Sequence, residues 1–172
     1  MRPEFNDDHT PIAYLITFRS YGTWMHGDER GSIDRHHRGY STPALPPSAR
    51  RETIETRLLK QPRVIFDLRQ RRAIEHGIKE TCYIRKWNLW AVNVRTNHVH
   101  CVLTAHFNAK RVMAALKANA SRIMRDTGCW RAPVSPWARG GSTKYIWTEE
   151  ELRNGIAYVV DGQGPDLQNR ER

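Results

Sequence analysis

Two histidines separated by one residue, His98-Val99-His100, are where side-chain chemistry first concentrates in this chain. Residues two apart on a β-strand leave the same face, about 6.5 to 7 Å apart at Cα, so both imidazoles would stand side by side and could grip one divalent ion. The run Trp90 to Ala105, WAVNVRTNHVHCVLTA, reads as strand material. Val99, Cys101, Leu103 and Ala105 make an apolar face, and His98, His100, Val102 and Thr104 make the other. A slip of one residue would exchange the faces and bury the histidines. Eight histidines scatter a few such pairs by chance, so the triplet alone leaves a metal site and a coincidence both open.

The elements that would have to position this pair can be read on either side of it. Residues 11–19, PIAYLITFR, alternate as a first strand, with Ile12, Tyr14, Ile16 and Phe18 on one side and Ala13, Leu15, Thr17 and Arg19 on the other. A helix follows Asp67, which caps it, and runs to about Lys86 with Ile74, Ile78 and Cys82 along one ridge. A second strand, Leu89 to Arg95, meets the histidine strand after almost no connection, which predicts an antiparallel hairpin turning at Thr96-Asn97. Asn108 caps the next helix, which ends near Gly128. Val112, Leu116 and Ile123 form its buried ridge, with Arg111, Arg122 and Arg125 on the opposite arc as a solvated face or a phosphate track. After a loop rich in Trp, Pro and Gly, Thr143 to Trp147 make a short strand. Thr148 then caps a last helix whose first turn, Glu149 to Glu151, suits the positive end of the helix dipole. This order predicts an α+β fold: a ferredoxin-like antiparallel sheet with helices packed on one face.

At 172 residues the chain reads as a single domain over residues 1–172, with an insertion at about 20–63 that gathers prolines. The excess of 28 Lys and Arg over 18 Asp and Glu gives a net charge of +10 and predicts a polyanionic partner, nucleic acid before membrane. Trp24, His26, Arg30, Arg35 and Arg38 in the insertion mix aromatic and cationic side chains in the way that suits unpaired bases, or line an ordinary surface connection. No apolar stretch resembles a signal peptide or a membrane span, so the expected location is the cytoplasm, beside the nucleoid. The three cysteines, Cys82, Cys101 and Cys129, lack the spacing of a disulfide framework or a cysteine zinc site.

The last helix carries Tyr158, about 120° around the helix from Leu152 at 100° per residue, a flank position from which a tyrosine can lean over a sheet. With Asn97-His98-Val99-His100, with YLITFRSYGTWMHGDERGS near the start and with STKYIWTEEELRNGIAYVVDGQG at the end, the chain resembles the HUH single-tyrosine transposases, most closely the REP-associated tyrosine transposases (RAYT). The resemblance covers nearly the whole length. It implies an HUH fold in which His98 and His100 hold a divalent metal, Mg²⁺ or Mn²⁺, and Tyr158 is the nucleophile. In the wider family a glutamine four residues past the tyrosine completes the metal site. Here Gly162 stands at that place and Gln163 one later. Five helical residues leave Gln163 about 140° from Tyr158, so it reaches the same ion only if the helix loosens or breaks at Gly162. Gln163 is the favoured third ligand and Asp161 its competitor.

The resemblance further implies cleavage and rejoining of single-stranded DNA next to a REP-like hairpin, through a 5′-phosphotyrosine, by a monomer or homodimer with Tyr158 acting in cis or in trans. The rival reading is a domesticated protein that binds hairpin DNA without cutting it.

Overall fold

The computed structural model describes residues 10–23, 54 and 57–162. Four strands form one antiparallel sheet: β1 (Ala13–Arg19), β2 (Asn88–Val94), β3 (His98–Thr104) and β4 (Ser142–Ile146), in the spatial order β2-β3-β1-β4. Three helices connect or follow them: α1 (Leu68–Arg85), α2 (Ala109–Asp126) and α3 (Glu149–Val160). The strand order, with both crossovers made by helices, is the ferredoxin-like arrangement the sequence predicts.

Local chemistry explains where the helices begin. Asp67 caps α1 by accepting from the Gln70 amide at 2.7 Å, while the Gln70 side chain accepts from the Asp67 amide at 3.1 Å, a reciprocal pair that satisfies two end donors. Asn108 caps α2 through the Lys110 amide, and Thr148 caps α3 through the Glu151 amide. All three caps stand where the sequence places them.

The two faces of the sheet are packed differently. Tyr14, Ile16 and Phe18 of β1 and Val99, Cys101 and Leu103 of β3 meet Ile74 and Ile78 of α1 and Val112, Leu116 and Met124 of α2 in the larger core. The two helices cross closely where Gly77 meets Ala120: a Cβ added to Gly77 would lie 2.8 Å from the Ala120 Cα. Trp137 pins the long loop before β4 into this core, edge-on to Phe18 at 5.0 Å between centroids, with its indole N–H donating to Ser121 Oγ. Ala13, Ala91, Val102, Ile146, Leu152 and Val159 form a second, smaller core under α3 on the other face. The crossover helices thus share one face as expected, and the C-terminal helix takes the opposite one. That placement follows from β3, where Val102 and the histidines leave the sheet away from α1 and α2 and would otherwise meet solvent.

The pairing of β2 with β3 contains a bulge. Leu89 faces Leu103, but Ala91 faces Val102, so Trp90 is an extra residue in the ladder; its indole N–H donates to Thr104 Oγ1 at 3.0 Å. Beyond the bulge Val92 faces Cys101, Asn93 faces His100 and Val94 faces Val99.

Candidate functional site

The hairpin between β2 and β3 delivers the histidines. The Arg95 amide donates to the His98 carbonyl at 2.8 Å, closing a turn over Thr96 and Asn97, as the sequence predicts. Two-residue hairpins favour turns with positive φ, yet among the described residues Lys86 is the one non-glycine with positive φ. The turn is instead clamped from outside. The Asn97 carbonyl accepts from the Ser20 amide at 3.0 Å and from the hydroxyls of Ser20 and Thr23, and the Thr96 carbonyl accepts from the Phe66 amide at 2.6 Å. Ser20, Thr23 and Phe66 therefore fix the start of the histidine strand.

His98 and His100 project from the α3 face of β3, their ring centroids 4.7 Å apart. Each ring is oriented through its Nδ1: His98 against Asn97 Oδ1 at 2.6 Å, and His100 against Thr17 Oγ1 of β1 at 2.7 Å. A metal-ligating imidazole characteristically uses one nitrogen for such a partner and presents the other to the ion. With both Nδ1 atoms so engaged, the Nε2 atoms are the ones that could meet a divalent cation, and the pair fits such an ion as two of its donors. Among the described residues no third His, Cys, Asp or Glu joins them, Asp161 included. Gln163 lies outside the described residues, as do Trp24, His26, Arg30, Arg35 and Arg38.

Tyr158 arrives from the far end of the chain. Leu152 and Val159 bury the inner side of α3, and Gly155 lets the helix lie close to Ile146 and Val102. The Tyr158 ring sits edge-on to His100, centroids 5.4 Å apart at 79°. It remains 46% exposed over a His100 that is only 6% exposed, so the phenol stands between the buried imidazole and solvent. The chain turns directly beside it. The Asp161 and Gly162 amides donate to the Ala157 and Tyr158 carbonyls, and a Cβ at Gly162 would lie 2.7 Å from the Tyr158 carbonyl oxygen. Helical hydrogen bonding therefore continues to Gly162, and the break considered at that residue is not seen before it.

The α2 arginines are exposed, on the opposite side of the sheet from Tyr158. Arg122 is engaged by Glu80 and Asp126, which makes it part of the α1–α2 junction. Sequence reasoning passed over three neighbours of the histidines: Thr17, Asn93 and Arg19, which pairs with His98 in the β1–β3 register. Thr17 and Arg19 were visible as the polar side of an alternating strand; Asn93 was hidden by the bulge.

Residues 56–140 match the family model for IS200-like transposases. Over that span the chain is similar to the IS200-like transposases. The transposase match takes in α1, the histidine hairpin and α2, and stops before the helix that carries Tyr158. No curated protein matches the sequence. Among solved structures, a REP-associated tyrosine transposase bound to a REP hairpin is similar at 12% identity and a TM-score of 0.48, covering 92% of this chain and 68% of its own. A candidate transposase from Deinococcus radiodurans R1 is similar at 14% identity and a TM-score of 0.49, covering 95% and 98%. Those scores are too low to add weight to the family match.

Proposed function

We propose that this protein is a metal-dependent single-stranded DNA strand-transferase that cuts beside a hairpin through a 5′-phosphotyrosine on Tyr158 and can rejoin the ends. The observation that carries this reading is the meeting of Tyr158 with the His98–His100 pair, ring to ring at 5.4 Å from His100, in a chain whose residues 56–140 match the model for IS200-like transposases. A divalent ion, Mg²⁺ or Mn²⁺, held by His98 and His100 with Gln163 as third donor, would supply charge neutralisation at the scissile phosphate.

The chain's own groups do the rest. Asn97 and Thr17 hold the imidazoles in one orientation, so no rotamer freedom is lost when a ligand arrives. The Tyr158 oxygen attacks phosphorus, a P–O bond forms to the phenol, and the P–O bond to the 3′ oxygen breaks. The phenol proton leaves and the departing 3′ oxygen takes up a proton, giving 5′-phosphotyrosine and a free 3′-OH. Phosphate remains esterified throughout, so attack by another 3′-OH reverses the step without ATP. The exposed phenol favours an extruded strand over a phosphate held inside a duplex. The net charge of +10 supports a DNA partner, and the hairpin is carried over from the family resemblance.

Labelled single-stranded hairpin DNA incubated with the protein and Mn²⁺ should give a denaturant-resistant protein–DNA adduct. The Tyr158→Phe variant should bind the same DNA and give none. An adduct that persists in that variant would contradict the proposal, and binding without any adduct in the wild type would favour the non-cleaving hairpin binder.

A further inference from the structure

A polar contact next to Tyr158 ties the last helix to the sheet. Asn93 Nδ2 donates to the Val159 carbonyl at 3.0 Å, joining β2 to the last turn of α3 one residue beyond Tyr158. Carbonyls in a helix's last turn run out of amides four residues on and must find other donors. An amide NH₂ supplied from the sheet does this and also fixes the height and rotation of the turn.

Asn93 reaches this position because of the bulge. Leu89 belongs to the larger core and Ala91 to the smaller one, although two residues apart on a regular strand would share a face. The extra residue Trp90 makes that switch, and Asn93 then lies directly opposite His100. Without the bulge the ladder that begins Asn88–Thr104 and Leu89–Leu103 would bring Val92 opposite His100, with no donor for the helix. Thr17, His100 and Asn93 therefore form one row across three strands: Thr17 holds the imidazole, and Asn93 holds the helix that brings the phenol to it.

We infer that Asn93 is a positioning residue, set by the Trp90 bulge, that holds the Tyr158 turn of α3 over the histidine pair. Its consequence for cleavage rests on the proposed phosphotyrosine chemistry; the tie itself does not.

The test uses the full chain and the variants Asn93→Leu, which keeps the side-chain size and removes the donor, and Asn93→Ala. Hydrogen exchange at the Asp161 and Gly162 amides, which close the last turn, should quicken about fivefold in both, with α1 and α2 amides unchanged. Formation of the adduct on hairpin DNA with Mn²⁺ should slow by about the same factor at saturating DNA, with the DNA concentration for half-maximal rate unchanged. Unchanged exchange at those two amides would overturn the tie. Quicker exchange with an unchanged saturated rate would overturn the positioning role. A wild type that forms no adduct would refute the phosphotyrosine chemistry instead, and the exchange measurement would still decide whether Asn93 holds the turn.

Discussion

The two faces of the sheet do different work. On the α1–α2 side, large apolar side chains interlock: Phe18, Ile74, Ile78, Leu103, Leu116 and Met124 are all fully buried or nearly so. On the α3 side, small residues such as Ala13, Ala91 and Gly155 admit one helix, and a polar row of Thr17, His100 and Asn93 takes the place of aliphatic packing. One face is a core that excludes water, while the other leaves a phenol and two imidazoles at its rim. Under the proposed function, stability and chemistry stand on opposite sides of one sheet, and the reactive side can stay thin without unfolding the molecule.

That contrast can be broken from either side. His98→Ala removes a donor from the polar face and should lower adduct formation by more than the roughly 10- to 100-fold typical of changes in residues that merely orient a ligand, with little change in the denaturation midpoint. Phe18→Ala attacks the other face. It should cost about 3–5 kcal/mol by urea unfolding, while folded protein at low temperature still cleaves. A loss of cleavage without a loss of stability in Phe18→Ala would mean the faces are not separable.

Smaller changes sharpen the division. Thr17→Val keeps the shape beside His100 but removes the partner of its Nδ1, and should weaken metal-supported cleavage by about tenfold while stability changes little. Titrating Mn²⁺ against the cleavage rate would show it as a higher metal requirement. Glu80 offers a stability control far from the chemistry. Its carboxyl is held below the ordinary carboxylate range, first by the hydrogen bond from Asn119, which burial opposes, and further by Arg122 and His76. A carboxyl lowered in the folded state contributes stability above its unfolded pKa and loses it as pH falls through the folded value. Glu80→Gln should therefore be less stable than wild type at neutral pH, with the gap closing on acidification, and should leave cleavage unchanged.

Much of this division was legible in the sequence because it is written in short-range patterns. The alternation of β1 and β3, the caps Asp67, Asn108 and Thr148 and the hairpin at Thr96-Asn97 depend on neighbours within a few residues. The approach of Tyr158 to the histidines depends on tertiary packing, and it was reached through the family resemblance and not through periodicity. Asn93 was not reached at all. A bulge adds one residue without any composition signal, and Trp90 looks like any other strand aromatic until the register on both sides is known. The side taken by α3 was also hidden, because an amphipathic helix states that it covers a face and not which one.

Tyr158 is the one tyrosine in the tryptic peptide that runs from residue 154 to 170, so the central claim reduces to a mass measurement. After reaction with single-stranded hairpin DNA and Mn²⁺, followed by nuclease and trypsin, that peptide should carry a nucleotide phosphate on Tyr158. A modification on any other residue, or cleaved DNA with no nucleotide on the protein, would contradict the account.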